Sequence, residues 1–138
     1  MAKRKSMTNT KVLIVDDDAF LLDMYSIKFK ESGFSVEIAK NGEEALAKAK
    51  SLNPDVILLD IVMPKMDGFD VLRAIKKDNI AQGAVIFILT NLGQKEDVDR
   101  GLRLGASDYI VKAHFTPSEV VAKVRSFLGP QKSADFHF

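Results

Sequence analysis

The sequence contains no cysteine, which excludes disulfide scaffolds, thiolate zinc sites and cysteine nucleophiles together. It also lacks a dominant charge: twenty lysines and arginines face nineteen aspartates and glutamates, a formal net charge of +1. A balance that even gives no general attraction to nucleic acid or acidic membranes, although it leaves room for a local patch. No apolar run approaches the ~20 residues needed to cross a bilayer. Lys3, Arg4 and Lys5 open the chain with no apolar stretch behind them, which is not the pattern of a secretory signal. His114 and His137 share no ligand spacing or triad pattern, and both read as surface residues. A chain of 138 residues buries a real core without disulfides or a structural metal. The expectation is one cytoplasmic domain spanning 11–128, with a disordered tail at 1–10 and a loosely held one at 129–138.

What is present is a regular alternation. "KVLIV" (11–15) reads as a buried strand, and Asp18 to Glu31 repeats its apolar residues at helical spacing until Gly33. "FSVEIA" (34–39) alternates like a less buried strand. Asn41 then reads as the cap of a helix that begins with Glu43 and Glu44, acidic residues favoured by the helix dipole. Strands follow at Asp55 to Asp60, Ala84 to Thr90 and Asp108 to Lys112. Helices are expected over Phe69 to Lys77, Gln94 to Leu104, and after the Thr116-Pro117 cap. Five strand-helix units with apolar central strands imply a parallel sheet covered on both faces, and right-handed crossovers make it doubly wound.

Ligands of such sheets bind beyond the carboxyl ends of the strands. The first strand there ends in Asp16, Asp17 and Asp18, the third in Asp60, the fourth in Thr90 and the fifth in Lys112. Two carboxylates about 5 Å apart repel by roughly 3 kcal/mol at an effective dielectric near 20. A divalent cation reverses that sign, and clustered carboxyl oxygens suit Mg²⁺. One carboxylate of such a cluster can also serve as a nucleophile toward phosphorus. Taken singly, Asp18 reads as a helix cap, Asp67 as a turn former, Thr90 as a strand-end threonine and Lys112 as a surface lysine. Asp60 is expected to emerge at the rim, where its carboxylate is not a burial problem.

"VLIVDDD", "LLDIVMPKMDGFDVL", "FILT" and "DYIVK", in that order, resemble the receiver domain of bacterial two-component response regulators over about residues 11 to 128. The resemblance implies a CheY-like, flavodoxin-like (βα)5 domain with a five-stranded parallel sheet of order 2-1-3-4-5. It implies that Asp60 accepts a phosphoryl group from a histidine kinase or histidine phosphotransfer protein. Asp16 and Asp17 match its Mg²⁺-binding acidic pair, and the backbone carbonyl of Val62 a third contact to that metal. Thr90 matches the switch hydroxyl, Lys112 the lysine that pairs with phosphate, and Tyr109 the aromatic whose rotamer reports the switch. The implied output is a downstream protein, reached through the face of the fourth helix, fifth strand and fifth helix. No direct contact with nucleic acid or membrane is implied, and the chain is expected to be a monomer or a phosphorylation-dependent dimer. It reads as a stand-alone receiver or as a fragment of a longer regulator.

Two positions depart from the family pattern, and two more bear on how long a phosphoryl group would last. Ala113 follows Lys112 where proline with a cis bond is usual, and such a bond before a non-proline residue costs about 3 kcal/mol. Asn91 replaces a small residue and narrows access to Asp60. Val62 and Leu92, two residues after Asp60 and Thr90, cannot orient a water, so slow self-dephosphorylation is expected. The first helix is richer in apolar residues than one stripe requires, which fits either a wide core stripe or a docking face for a kinase or phosphotransfer helix. Three other classes remain: a Mg²⁺-dependent phosphohydrolase, which would want a second Asp where Val62 stands; a nucleotide-binding protein, for which no Gly-rich loop follows the first strand; and a receiver-like scaffold that takes no phosphate.

Overall fold

A computed structural model describes residues 10–129. Five strands, β1 (Lys11–Val15), β2 (Ser35–Ala39), β3 (Val56–Leu59), β4 (Val85–Thr90) and β5 (Asp108–Val111), alternate with five helices. These are α1 (Ala19–Glu31), α2 (Gly42–Leu52), α3 (Gly68–Lys77), α4 (Lys95–Arg103) and α5 (Pro117–Leu128). All four neighbouring strand pairs are parallel, in the order β2-β1-β3-β4-β5. This is the expected CheY-like topology. The order reverses between β1 and β3, and that switch point opens a crevice beyond their carboxyl ends.

The apolar runs form central strands because both of their faces are covered. All four side chains of β3 are at most 1% exposed, each aliphatic group contributing about 1.5–3 kcal/mol of burial before entropy is charged. Leu13, Val15, Ile57, Leu59, Ile86 and Ile88 point to one face, against Ala45 and Ala49 of α2 and Leu72 and Ile75 of α3. Val12, Ile14, Val56, Leu58 and Phe87 point to the other, against Leu22, Tyr25 and Phe29 of α1 and Val120 and Val124 of α5. In α1 the apolar surplus divides: Phe20 and Ile27 are exposed, while Leu21 and Met24 lie at the margin of the core.

Element ends differ from expectation by a residue or so. Phe34 packs edge-on against Phe29 at 5.2 Å and precedes β2 rather than opening it. β5 stops at Val111, and Lys112 starts a 3-10 turn, Lys112–His114. No peptide bond among the described residues is cis, so Lys112–Ala113 is trans. Of the two expected tails, Thr10 and Gly129 belong to the described structure, and the remaining residues lie outside it, His137 included. Thr10 is buried, and its carbonyl accepts a hydrogen bond from Ser35 N–H at 2.9 Å.

Candidate functional site

β1 and β3 lie side by side in register, so the residues that follow them emerge together. Asp60 N–H donates to the Val15 carbonyl at 3.0 Å and Asp16 N–H to that of Ala39 at 3.1 Å, which carries the ladder past the strand ends. Carboxylate oxygens of Asp16, Asp17 and Asp60 all lie within 4.8 Å of one another. Lys112, arriving from β5, places its Nζ 2.6 Å from Asp16 Oδ2 and 3.3 Å from Asp60 Oδ2. Four of the seven residues singled out by the sequence thus meet at one point.

Asp60 stands at the rim as expected, but the expectation that its carboxylate would escape burial there needs correction. Asp60 is 6% exposed and Asp16 3%, and Asp17 alone of the three is exposed. The Lys112 side chain is also about nine-tenths covered. Burial is tolerated because an ammonium is buried with the carboxylates. Burial raises the pKa of Asp16 above the ordinary aspartate value, against the opposing effects of its hydrogen bonds from Lys112 and from Asp18 N–H. For Lys112, burial alone would depress the ammonium pKa, but the hydrogen bond to Asp16 and the charge of Asp60 outweigh it. One ammonium faces three carboxylates, so the cluster is short of positive charge.

The donor chemistry fits a hard divalent cation. The cluster offers only oxygens, two of its carboxylates are buried, and their spacing lets one ion reach all three. Asp18 is occupied elsewhere: its Oδ1 accepts from Phe20 and Leu21 N–H at 2.9 and 3.2 Å and caps α1. Asp67 likewise caps α3 and exchanges a reciprocal pair of bonds with Asp70.

Thr90 and Tyr109 reach the same edge, but their side chains hydrogen-bond to Leu92 rather than to the carboxylates. The fully buried Thr90 hydroxyl accepts a long bond, 3.4 Å, from Leu92 N–H of its own loop. The Tyr109 hydroxyl donates to the Leu92 carbonyl. Burial, and then the charges of Asp97 and Asp60, push the Tyr109 pKa up to about 12. Val62 is exposed, with its N–H 3.4 Å from Asp60 Oδ1. Asn91, expected to narrow access to Asp60, accepts a hydrogen bond at Oδ1 from Ala113 N–H at 2.9 Å.

One residue that positions the site, Gly68, stands in the sequence only as the neighbour of the turn former Asp67. Gly68 opens α3 against the backbone of Asp60 and Ile61, and a Cβ there would sit 2.3 Å from the Asp60 carbonyl oxygen. Its N–H donates to the Ile61 carbonyl at 2.9 Å, closing the loop that follows Asp60. No local signal separates such a glycine from an ordinary turn glycine, because the contacts lie seven and eight residues back.

Residues 12–125 match the sequence model of the response regulator receiver domain. A probable transcriptional regulator, ycf27 of Guillardia theta, is 43% identical over 129 residues, which cover 94% of this chain and 49% of that protein. The chain spans about half the length of the curated relatives it matches. Among solved structures, Vibrio cholerae chemotaxis protein CheY4 superposes with a TM-score of 0.79 at 34% identity, covering 85% of this chain and 97% of its own. The BeF3-activated N-terminal receiver domain of Klebsiella pneumoniae RstA does so with a TM-score of 0.77 at 27% identity, covering 85% and 97%.

Proposed function

Because the chain belongs to the response regulator receiver domain family, whose members are phosphoacceptor signalling domains rather than enzymes in the ordinary sense, we propose that Asp60 is its phosphoacceptor. The observation that carries this reading is the Lys112 ammonium held between Asp16 and Asp60 inside a three-carboxylate cluster. An Asp60 oxygen attacks the phosphorus of a phosphohistidine whose other ring nitrogen is protonated, the phosphorus–nitrogen bond breaks, and the bond's electron pair leaves on a neutral imidazole. The Lys112 ammonium neutralises a phosphoryl oxygen as charge builds, the kind of preset electrostatics that phosphoryl transfer depends on. Thr90 can turn its hydroxyl to the new phosphoryl group at small cost, since the bond it gives up is a long one.

Asp16, Asp17, Asp60 and the Val62 carbonyl would hold Mg²⁺, which when bound supplies positive charge to the phosphoryl oxygens. A kinase partner follows from the family, and the donor proposed is a histidine kinase or histidine phosphotransfer protein. The output is a downstream protein reached through α4, β5 and α5, where Tyr109 links β5 to the loop after Thr90. The family's usual setting is the cytoplasm, and among the described residues no helix is long and apolar enough to cross a membrane.

The test is incubation with Mg²⁺ and acetyl phosphate, followed by intact mass. A gain of one phosphate is expected, absent with EDTA and in Asp60→Asn. Phosphate retained by Asp60→Asn would remove Asp60 from the role. Once formed, the acyl phosphate should last minutes or longer, because Val62 and the half-buried Leu92 offer a water no hydrogen-bonding side chain. Loss within seconds after donor removal would contradict that expectation.

A further inference from the structure

We propose that Asn91 is a positioning residue for Lys112, its side-chain oxygen gripping the peptide that carries the lysine. The inference rests on the phosphoacceptor reading above and deepens it. The backbone ladder between β4 and β5 ends with the pair Thr90 and Val111. Beyond it the two strands leave the sheet, β4 toward α4 and β5 into the turn Lys112–His114. The next link is made by a side chain: Ala113 N–H donates to Asn91 Oδ1 at 2.9 Å. That N–H belongs to the peptide unit joining Lys112 to Ala113, so the bond holds the base of the lysine rather than its tip.

The tip needs such a base. Lysine has a flexible four-carbon stem whose ordering costs rotamer entropy. Here it must hold one nitrogen 2.6 Å from Asp16 and 3.3 Å from Asp60. The residues on either side of Asn91 are also tied, Thr90 through its hydroxyl to Leu92 N–H and Leu92 through its carbonyl to Tyr109. Asn91 therefore joins a loop that is itself anchored to the lysine's turn. The pair is chemically reciprocal: a proline at 113 would have no N–H to give, and an alanine at 91 no oxygen to receive it. Both residues lie on the surface, where the pair can be altered without opening the core.

The rival role for Asn91 is bulk that screens Asp60, and two variants separate them. Asn91→Leu keeps the bulk and removes the acceptor; Asn91→Ala removes both. In the full chain without phosphate, the Lys112 ammonium should give a protected NMR signal, and Ala113 N–H should exchange slowly. Both signatures should fade in both variants, while Asn91→Asp retains the protection of Ala113 N–H. An unchanged Lys112 signal in Asn91→Leu overturns the proposal, whether or not the protein takes phosphate. With Mg²⁺ and acetyl phosphate, both variants should lower the maximal phosphorylation rate by roughly three- to ten-fold, the weight of one net hydrogen bond. The half-saturating donor concentration should not move. In a Lys112→Ala background, Asn91→Leu should cause no further loss, because no ammonium remains to position. Losses that multiply there, or an Asn91→Ala protein that reacts faster than the native one, would overturn the proposal. Failure of native protein to take phosphate would instead count against Asp60 as acceptor.

Discussion

At the scale of single residues, the site is a problem in burying charge. Asp16 and Asp60 lose most of their water, and Lys112 returns part of what hydration supplied. Tyr109 shows the same trade without a charge: its phenol is half-buried and spends its proton on the Leu92 carbonyl. Its pKa, raised to about 12, exceeds the unfolded value of ~10. The contribution to stability is therefore fully present below about pH 10 and lost as pH rises through about 12. Tyr25 is raised as well, by burial first, so ultraviolet titration is best made on Tyr25→Phe. A midpoint near 12 is expected, accompanied by loss of fold. A midpoint near 10 would mean that the hydroxyl is free in water.

At the scale of elements, four of the five helices that leave the carboxyl edge of the sheet start on a side chain that binds its own first turn, and α4, which follows Gln94, does not. Asp18, Asn41, Asp67 and Thr116 accept from backbone N–H groups of α1, α2, α3 and α5. Caps of this kind contribute about 1 kcal/mol each and decide where the chain leaves the strand. For α3 the departure is governed more strongly by Gly68. A methyl group there would meet the Asp60 carbonyl oxygen at 2.3 Å and Ile61 Cα at 2.7 Å. Both atoms belong to backbone, which cannot rotate aside as a side chain can. Gly68→Ala should lose about 3 kcal/mol in urea unfolding, and the folded fraction should take phosphate more slowly because Asp60 is displaced. A loss within experimental error would show that the loop yields and that the glycine is there for turn geometry alone.

At the scale of the whole molecule, one sheet serves two cores. Tyr25 sits in the core beneath α1 and α5, and Tyr109 packs against the one beneath α2 and α3. β3 is buried on both faces, so neither core can open without exposing the strand that the other packs upon. Cooperative unfolding follows for a domain of this size. Urea transitions followed by tyrosine fluorescence in Tyr25→Phe and in Tyr109→Phe should each coincide with the circular dichroism transition of the same protein. Separate midpoints within either variant would mean that the two faces unfold independently.

By itself the sequence determined the alternation of strands and helices, the double burial of β1, β3 and β4, three of the caps, and which residues follow each strand. These are local properties: a period of two or 3.6, a polar residue ahead of a helix, a carboxylate after an apolar run. The resemblance carried by four short motifs then pointed to the residues proposed as acceptor and companions before any contact was visible. Tertiary structure decided the rest. Lys112 and Asp16 are 96 residues apart, and only the register of β1, β3, β4 and β5 brings them within bonding distance. Only the packed sheet shows that Asp60 is covered, that Gly68 lies on its backbone, and that Asn91 and Ala113 are partners. The division of α1 between buried Phe29 and exposed Phe20 is likewise set by where α5 and the sheet press upon it. Patterns along a chain report which face of an element is apolar; what that face and its neighbours touch depends on surfaces that come together only when distant segments fold against one another.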